Sequence, residues 1–302
     1  MKYYFILNPA AGAVDSPKTL IPLIDEHFKK AGIDRTIYVT DHPGHATELA
    51  RQIAESGEEA RICACGGDGT LNEVVRGVAG HSNVAITIYP GGSGNDFIKN
   101  FGTREEFADV GLVVNGISRP VDLIKINDDL WCANIFSVGV DADVAAGIPK
   151  WRRMPFCGGP MAYNLSLVET VIKPMGKRFS INGEPKDVLI ITACNGRVYG
   201  GAYNAAPEAE LDDGLMDLVV VDKIGKLRVA QLIPVYKAGK HVENGVVTES
   251  LSDVLTYSRV NKLHITSDTP FSTNIDGEVV RMRSAKLQVV PGALNFIVPG
   301  RE

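Results

Sequence analysis

This 302-residue chain contains no uninterrupted apolar stretch long enough to cross a bilayer, and the opening "MKYYFILNPAAG" has one lysine and too brief an apolar run for a signal-peptide core. Any contact with a membrane is therefore expected at its surface. An excess of basic charge is also missing. The 31 Lys and Arg against 36 Asp and Glu give a net charge of -5, which argues against a nucleic-acid binder that relies on a broad positive face. Five cysteines, at 63, 65, 132, 157 and 194, form an odd set without Cys-x-x-Cys spacing. Neither a disulfide framework nor a zinc knuckle is indicated, and a reducing cytoplasm fits best. The six histidines lack ligand spacing, and His42 and His45 read as surface or capping residues. Internal repeats and low-complexity linkers are absent.

What the chain does have is length and apolar content, 45% hydrophobic, enough for two packed domains. Four strand-like runs, Lys2 to Leu7, Arg35 to Thr40, Ala60 to Cys65 and Val84 to Tyr89, each give way to a turn cluster and then to a segment of helical character. After the third, Leu71, Val74, Val75 and Val78 fall at i, i+3, i+4 and i+7. This alternation predicts an α/β fold with a doubly wound parallel sheet. From about Ile117 the texture changes to strands with hairpin signals at Asn182-Gly183, Asp213-Gly214 and Asp276-Gly277, which predicts a second, mainly antiparallel β-sandwich domain. Two helices are expected in it, around Met161 to Ile172 and Lys226 to Lys240, with Pro234 kinking or starting part of the latter. The closing "LQVVPGALNFIV" fits either domain by pattern.

Ligands of doubly wound sheets bind beyond the carboxyl ends of the strands. There the chain carries "NPAAG" (Asn8, Pro9, Ala10, Ala11, Gly12), "TDHPGH" from Thr40, "GGDGT" (Gly66, Gly67, Asp68, Gly69, Thr70) and "PGGSGND" from Pro90 to Asp96. Glycines between a strand and a helix let backbone N–H groups surround an anion. The third loop is not Walker A, and Asn72 replaces the last glycine of a dinucleotide fingerprint. Taken singly it also reads as an ordinary turn capped by Asp68 or Thr70; two such loops in successive units make that reading weaker. Neither loop contains Lys or Arg, so a polyphosphate would need a cation, and Asp68 and Asp96 are oxygen donors of the kind Mg²⁺ takes.

Together with "GGDGTLNEVVRG" and "PGGSGNDF", the segments "NIFSVGVDADV", "DDGLMDLVVV" and "NIDGEVV" resemble, in order and over nearly the whole chain, the bacterial soluble diacylglycerol kinases and related lipid kinases. The resemblance implies an N-terminal nucleotide domain (1–122, with 286–302 returning to it) and a C-terminal β-sandwich lipid-substrate domain (123–285). It implies ATP and Mg²⁺ as cofactors. Asn8 to Gly12, Thr40, Gly67 to Glu73 (including Leu71 and Asn72) and Ser93 would line the ATP site, with Asp68 and Asp96 near Mg²⁺. Ser93 stands where many relatives have threonine and keeps the hydroxyl. Glu278 is implied as general base with Asp276 beside it, and Asp68 competes for that role. Glu210, Asp213 and Leu215 would hold a second, structural Mg²⁺; an Asp-Gly turn is the bland reading of the same residues.

The implied activity is transfer of phosphate to a lipid hydroxyl, diacylglycerol first among the acceptors, with the lipid entering a cleft between domains at the bilayer surface. The segment Ile148 to Phe156 mixes Lys150, Arg152 and Arg153 with Trp151, Met154 and Phe156 and suits a headgroup interface as well as it suits a solvated loop. An NAD kinase-like phosphotransferase and a non-catalytic nucleotide-dependent membrane-binding protein are the alternatives; a "GSTAY"-like segment of the NAD kinases has no convincing counterpart. Oligomeric state, a homodimer included, is left open.

Overall fold

The computed structural model describes residues 1–12, 16–92, 94–154, 157, 159–173, 175–201 and 203–300. They divide into two compact units: Met1–Leu123 with Leu211–Asp213 and Val290–Glu302, and Ile124–Glu210 with Gly214–Val289.

In the first unit, β1 (Lys2–Leu7), α1 (Ser16–Ala31), β2 (Thr36–Val39), α2 (His45–Glu55), β3 (Ala60–Gly66), α3 (Asp68–Val78) and β4 (Val84–Pro90) alternate as the sequence predicts. The strands pair in parallel in the order β2-β1-β3-β4. Strand β3 is buried along almost its whole length, as expected of a parallel strand covered by helices on both faces. The order reverses at β1, so the crevice between the ends of β1 and β3 is the switch point where such sheets bind ligands. Short helical turns α4 (Arg104–Phe107) and α5 (Leu112–Asn115) follow.

The second unit contains β5 (Ile117–Ile126), which begins in the first, then β6 (Leu130–Cys132), β7 (Ile135–Gly139), α6 (Val140–Arg152), α7 (Gly159–Ile172), β8 (Lys177–Ile181) and β9 (Glu184–Cys194). A two-residue ladder of β10 (Val198–Tyr199) and β11 (Tyr203–Asn204) precedes β12 (Met216–Asp222) and α8 (Lys226–Lys237). A second ladder, β13 (Val242–Glu243) with β14 (Val246–Val247), leads to β15 (Leu255–Val260), β16 (Lys262–Ile275) and β17 (Glu278–Val298). The antiparallel order is β15-β12-β9-β7-β16-β17. Strand β12 reads "MDLVVVD" because both its faces are covered. Met216, Leu218 and Val220 enter the sandwich core with Phe136, Ile191 and Phe271. Val219 and Val221 enter a second cluster with Val229, Leu232 and Tyr236 of α8.

Of the three expected hairpins, Asn182-Gly183 joins β8 to β9 and Asp276-Gly277 joins β16 to β17. All four residues have positive φ, the two-residue turn that matches strand twist. Asp213-Gly214 closes no hairpin and instead leads into β12, whose partners are β9 and β15. Pro234 lies inside α8, which ends at Lys237 rather than Lys240. The segment Ile148 to Phe156 is in part helical, since α6 runs to Arg152; Pro155 and Phe156 lie outside the described residues. In β17, Leu287 and Gln288 pair with β16, and Asn295 and Phe296 pair in parallel with β4.

Candidate active site

The first unit gathers three glycine-bearing loops at the switch point. Asn8, just past β1, donates from its side chain to the Thr70 hydroxyl at 3.0 Å and accepts from the Ala10 amide at 2.9 Å. The first loop is thereby fastened to α3. Gly12 has φ +85, and a Cβ there would stand 2.5 Å from the Gly91 carbonyl oxygen. The third and fourth loops touch backbone to backbone: Gly91 N donates to Gly66 O at 2.7 Å, and a Cβ on Gly92 would lie 2.6 Å from Gly67 Cα. A Cβ on Gly69 would meet nothing within 4 Å, so the floor is tight and the space above it is open. Helix α3 starts at N-cap Gly67 without a side-chain cap, leaving its first amides available to an anion.

Asp68 spans the two glycine loops. One carboxylate oxygen accepts from the Asn95 amide at 2.7 Å and the other from the Asp96 amide at 2.6 Å. Both are charge-assisted bonds, the stronger kind, and they tie the start of α3 to the fourth loop. Asp96 in turn meets Lys99 Nζ at 2.5 Å. Arg104 donates to the carbonyls of Gly92 at 2.6 Å and Pro90 at 3.0 Å. The loops lack their own cations, but the next turns of chain bring two. Sequence reasoning missed Lys99 and Arg104 because it searched inside the loops; the i, i+3 spacing from Asp96 to Lys99 was a readable signal.

Other expected ligands have structural partners. Thr40 is buried, with its amide bonded to the Leu7 carbonyl at 2.8 Å. Glu73 accepts from the Ala46 amide at 3.2 Å, and Thr47 donates to the Glu73 carbonyl at 2.8 Å. Glu73 thus caps α2, whose own N-cap, Gly44, has no side chain to do so. Leu71 is buried in the core. Asn72 is also buried, and neither its amide oxygen nor its nitrogen has a hydrogen-bond partner; Asn95 Oδ1 is in the same condition. Buried amides are normally satisfied, so polar atoms orphaned on α3 and the fourth loop fit a site for a polar ligand. Ser93 lies outside the described residues. Asp41, His42 and His45 bring ligand atoms within 4.8 Å of one another, which the sequence spacing had not suggested. One exposed carboxylate shared by two stacked imidazoles accounts for the arrangement.

In the second unit, the Asp276-Gly277 turn carries the other two expected acids. Asp276 accepts from the amides of Ala133, Asn134 and Ile135 at 2.6, 3.0 and 2.8 Å and from the Cys132 thiol at 3.3 Å. Burial pushes its carboxyl above the usual range, and those donors pull the other way. Glu278, the first residue of β17, is half-buried. Asn274 ties this turn to α6: it accepts from Gly277 N at 2.9 Å and donates to Asp141 at 3.0 Å. Asp141 is buried and also bonded to Ser137 and Tyr199; burial raises its carboxyl against those bonds. It stands at the wall of an apolar cavity between α6, α7, α8 and the sheet, lined among others by Val144, Tyr163, Leu167, Leu189 and Leu232. The sequence motif contained Asp141, yet nothing local marked it as the polar wall of a cavity made by three helices. The segment of Glu210, Asp213 and Leu215 is a turn in which Gly214 has φ +76. Leu211, inside it, accepts from the Asp122 amide at 2.7 Å. The proposed donors are all oxygens, a set suited to a hard cation.

A doubly wound unit with phosphate-type glycine loops, followed in sequence by a β-sandwich, is the two-part arrangement of the lipid kinases with a diacylglycerol kinase catalytic domain. Residues 2–126 match the diacylglycerol kinase catalytic domain, and residues 134–298 match the YegS C-terminal NAD kinase beta sandwich-like domain. The chain belongs to this lipid kinase family. It is 32% identical, over 90% of its length and 86% of the relative's, to a probable lipid kinase YegS-like of Chromohalobacter salexigens. It is 26% identical to a diacylglycerol kinase of Bacillus subtilis, with 90% and 88% covered. Among solved structures, a putative diacylglycerol kinase from Bacillus anthracis superposes with a TM-score of 0.75 at 24% identity, covering 98% of this chain and 96% of the other. An NAD kinase from Archaeoglobus fulgidus in complex with ATP superposes with a TM-score of 0.50 at 10% identity, with 99% and 94% covered. These two likenesses speak for the fold. Among the described residues, no helix is long and apolar enough to cross a membrane.

Proposed function

We propose that this chain is an ATP-dependent, Mg²⁺-requiring kinase that phosphorylates a lipid hydroxyl, with diacylglycerol the first candidate acceptor and a phosphatidic acid the product. The observation that carries the reading is the apolar cavity whose polar wall, Asp141, is linked through Asn274 to the turn bearing Glu278. Its lining is mostly aliphatic and tyrosine side chains, the kind of surface an acyl chain would take. The lipid would reach it from the surface of a cytoplasmic membrane.

The phosphates of ATP would rest over the glycine loop Gly66 to Thr70, at the start of α3. Asp68 and Asp96 would hold Mg²⁺, which when bound neutralises phosphate charge, as phosphoryl transfer requires. Glu210, Asp213 and Leu215 would hold a second, structural ion. Glu278 takes the proton from the acceptor hydroxyl, with Asp68 the competing base, while Asp276 fixes the turn that orients Glu278. Catalysis then rests on positioning and charge.

The test is a γ-labelled ATP assay on the full chain with diacylglycerol, monoacylglycerol, phosphatidylglycerol, ceramide, undecaprenol and NAD offered in parallel, products identified by mass. Label in a phospholipid product is the expected outcome. Label in NADP alone would move the chain to the NAD kinase branch, and tight ATP binding without transfer to any acceptor would make it a nucleotide-dependent binding protein.

A further inference from the structure

The hairpin that carries Glu278 has two anchors of different kinds. Asp276 is held by the backbone amides of Ala133, Asn134 and Ile135. Asn274 is the other anchor. Its backbone lies in the β16 ladder opposite Ser137 and Val279, while its side chain accepts from the Gly277 amide at 2.9 Å and donates to Asp141 Oδ2 at 3.0 Å. Ser137 donates to the same oxygen, and the Tyr199 hydroxyl bonds the carboxylate as well. Tyr199 lines the cavity, and so do Val140, Asp141 and Val144 of α6. A continuous chain of hydrogen bonds therefore runs from the cavity lining to the turn, through Tyr199, Asp141 and Asn274 to Gly277.

Asp141 belongs to the first turn of α6, and the start of that helix has no side-chain cap. Its N-cap, Gly139, has φ +92, and a Cβ there would stand 2.3 Å from the Leu189 carbonyl oxygen, so the joint between β7 and α6 accepts only glycine. Further along, α6 is fixed to α7: Ser166 donates to the Val144 carbonyl at 2.6 Å, and a Cβ on Gly147 would stand 2.3 Å from Ser166 Oγ. An apolar chain lying against Val140 and Val144 therefore presses on the turn that carries Asp141. That carboxylate has three side-chain partners, and a buried network whose members are all bonded favours one arrangement over its neighbours.

We propose that Tyr199, Asp141 and Asn274 are positioning residues that make the placement of Glu278 depend on what fills the cavity, so that an acyl chain raises the rate of phosphate transfer and not only the affinity for the acceptor. This coupling rests on the lipid-kinase reading, with Glu278 as the base. Binding energy from a part of the substrate remote from the reacting hydroxyl is then expressed in the transition state rather than in the bound ground state. Short-chain and long-chain acceptors present the same hydroxyl, but only the long chain sets the base against it.

The test is a steady-state series on the full chain with diacetyl-, dihexanoyl- and dioctanoylglycerol. In the wild type kcat is expected to rise about tenfold along the series, well inside the roughly hundredfold cost of misplacing a catalytic group, while KM falls. In Tyr199→Phe and in Asp141→Ala, KM is expected to fall with chain length as before and kcat to stay nearly level. Asp141→Asn keeps an accepting oxygen for Asn274 and is expected to keep the rise. Residues that served folding alone would lower kcat by the same factor for all three acceptors. That result would overturn the proposal, as would a wild type in which chain length moves KM alone. A second measurement does not need turnover: amide exchange of residues 274–279 with and without decanol as the cavity's occupant. Exchange is expected to slow in the wild type and not in Tyr199→Phe, and a wild type without a response would overturn the coupling whatever the kinetics. A response in a protein that transfers phosphate to none of the acylglycerols would uphold the coupling and remove the lipid-kinase reading alone.

Discussion

Asp68 and Asp276 both precede a glycine just past the end of a strand, and each carboxylate is covered by amides from another segment. Asp68 takes two, from Asn95 and Asp96; Asp276 takes three, from Ala133, Asn134 and Ile135, and a thiol besides. Their surroundings separate them. Around Asp68 the backbone is glycine, and among the described residues nothing lies within 4 Å of a Cβ built on Gly69. Asp276 is held in a left-handed turn at φ 49, and desolvation raises its carboxyl. The same dipeptide therefore sits in two settings, at the start of a helix among glycines in one unit and in a hairpin turn closed over by three amides and a thiol in the other.

The strongest attempt to break this contrast is Asp68→Asn. The substitution removes the charge and sets an amide donor against one of the two N–H groups. Phosphoryl transfer is expected to fall about 10³-fold, the scale of losing a preorganised electrostatic group, while stability falls by about 1–2 kcal/mol. Steady-state assay with γ-labelled ATP and a urea titration measure the two. A large stability loss with near-normal turnover would make Asp68 a clamp like Asp276.

The converse experiment compares Asp276→Ala with Glu278→Gln. Removing Asp276 strands three amides, which is expected to cost about 3 kcal/mol and to shift the urea midpoint downward. Glu278→Gln keeps shape and hydrogen bonding, so its expected effect is a loss of about 10²-fold in turnover, the scale of general-base catalysis, without a change in melting. If Glu278→Gln were as active as the parent, the base would have to be sought at Asp68.

The contrast also bears on what sequence can carry. Strands β1, β3 and β4 were legible because parallel strands buried on both faces are short apolar runs ended by glycine, proline or asparagine. The β-rich character of the second half was legible from Asn-Gly and Asp-Gly. Asp213-Gly214 shows the weakness of that signal, because a dipeptide that permits a hairpin does not supply the partner strand. Helix α6 was hidden: "VDADVAAGIPKWR" follows directly on β7, contains Pro149, and lacks a clear polar face. Lys99 was readable from its i, i+3 spacing to Asp96, whereas Arg104 could be seen only as a residue near a loop, since nothing local says where a long side chain ends. The cavity was illegible for a stronger reason. Its walls come from α6, α7, α8 and four strands, and an underfilled space is a property of their packing rather than of any one of them.

A smaller perturbation addresses the floor of the nucleotide loops. Gly12→Ala introduces a Cβ that would stand 2.5 Å from the Gly91 carbonyl at φ +85, strained on both counts. The expected cost is about 1–2 kcal/mol, felt as weaker ATP binding, because the first loop must move away from the fourth. Isothermal titration with a non-hydrolysable ATP analogue measures it. Gly69→Ala, with nothing within 4 Å of the added atom, should leave the fold unstrained and weaken ATP binding only if ligand occupies that space. Loss of ATP affinity in both variants, with loss of stability in the first alone, would place the nucleotide above the loops.

The smallest expected effect concerns Asp141, which is buried like Asp276 but bonded by side chains alone, Ser137, Asn274 and Tyr199. Its folded pKa lies above the ordinary carboxylate value because burial disfavours the charge. Between those two values the folded state binds more protons than the unfolded one, so the contribution of this group to stability is fully present below the ordinary value. It is lost as pH rises toward the folded pKa. Asp141→Asn removes the titration while keeping an acceptor. Relative to the wild type, the variant should therefore melt no higher in acid and higher at neutral pH. Thermal melting of both proteins across that window checks the sign. A wild type that instead gains stability over the variant as pH rises would mean the three hydrogen bonds outweigh desolvation, and Asp141 would then face the cavity as a committed carboxylate.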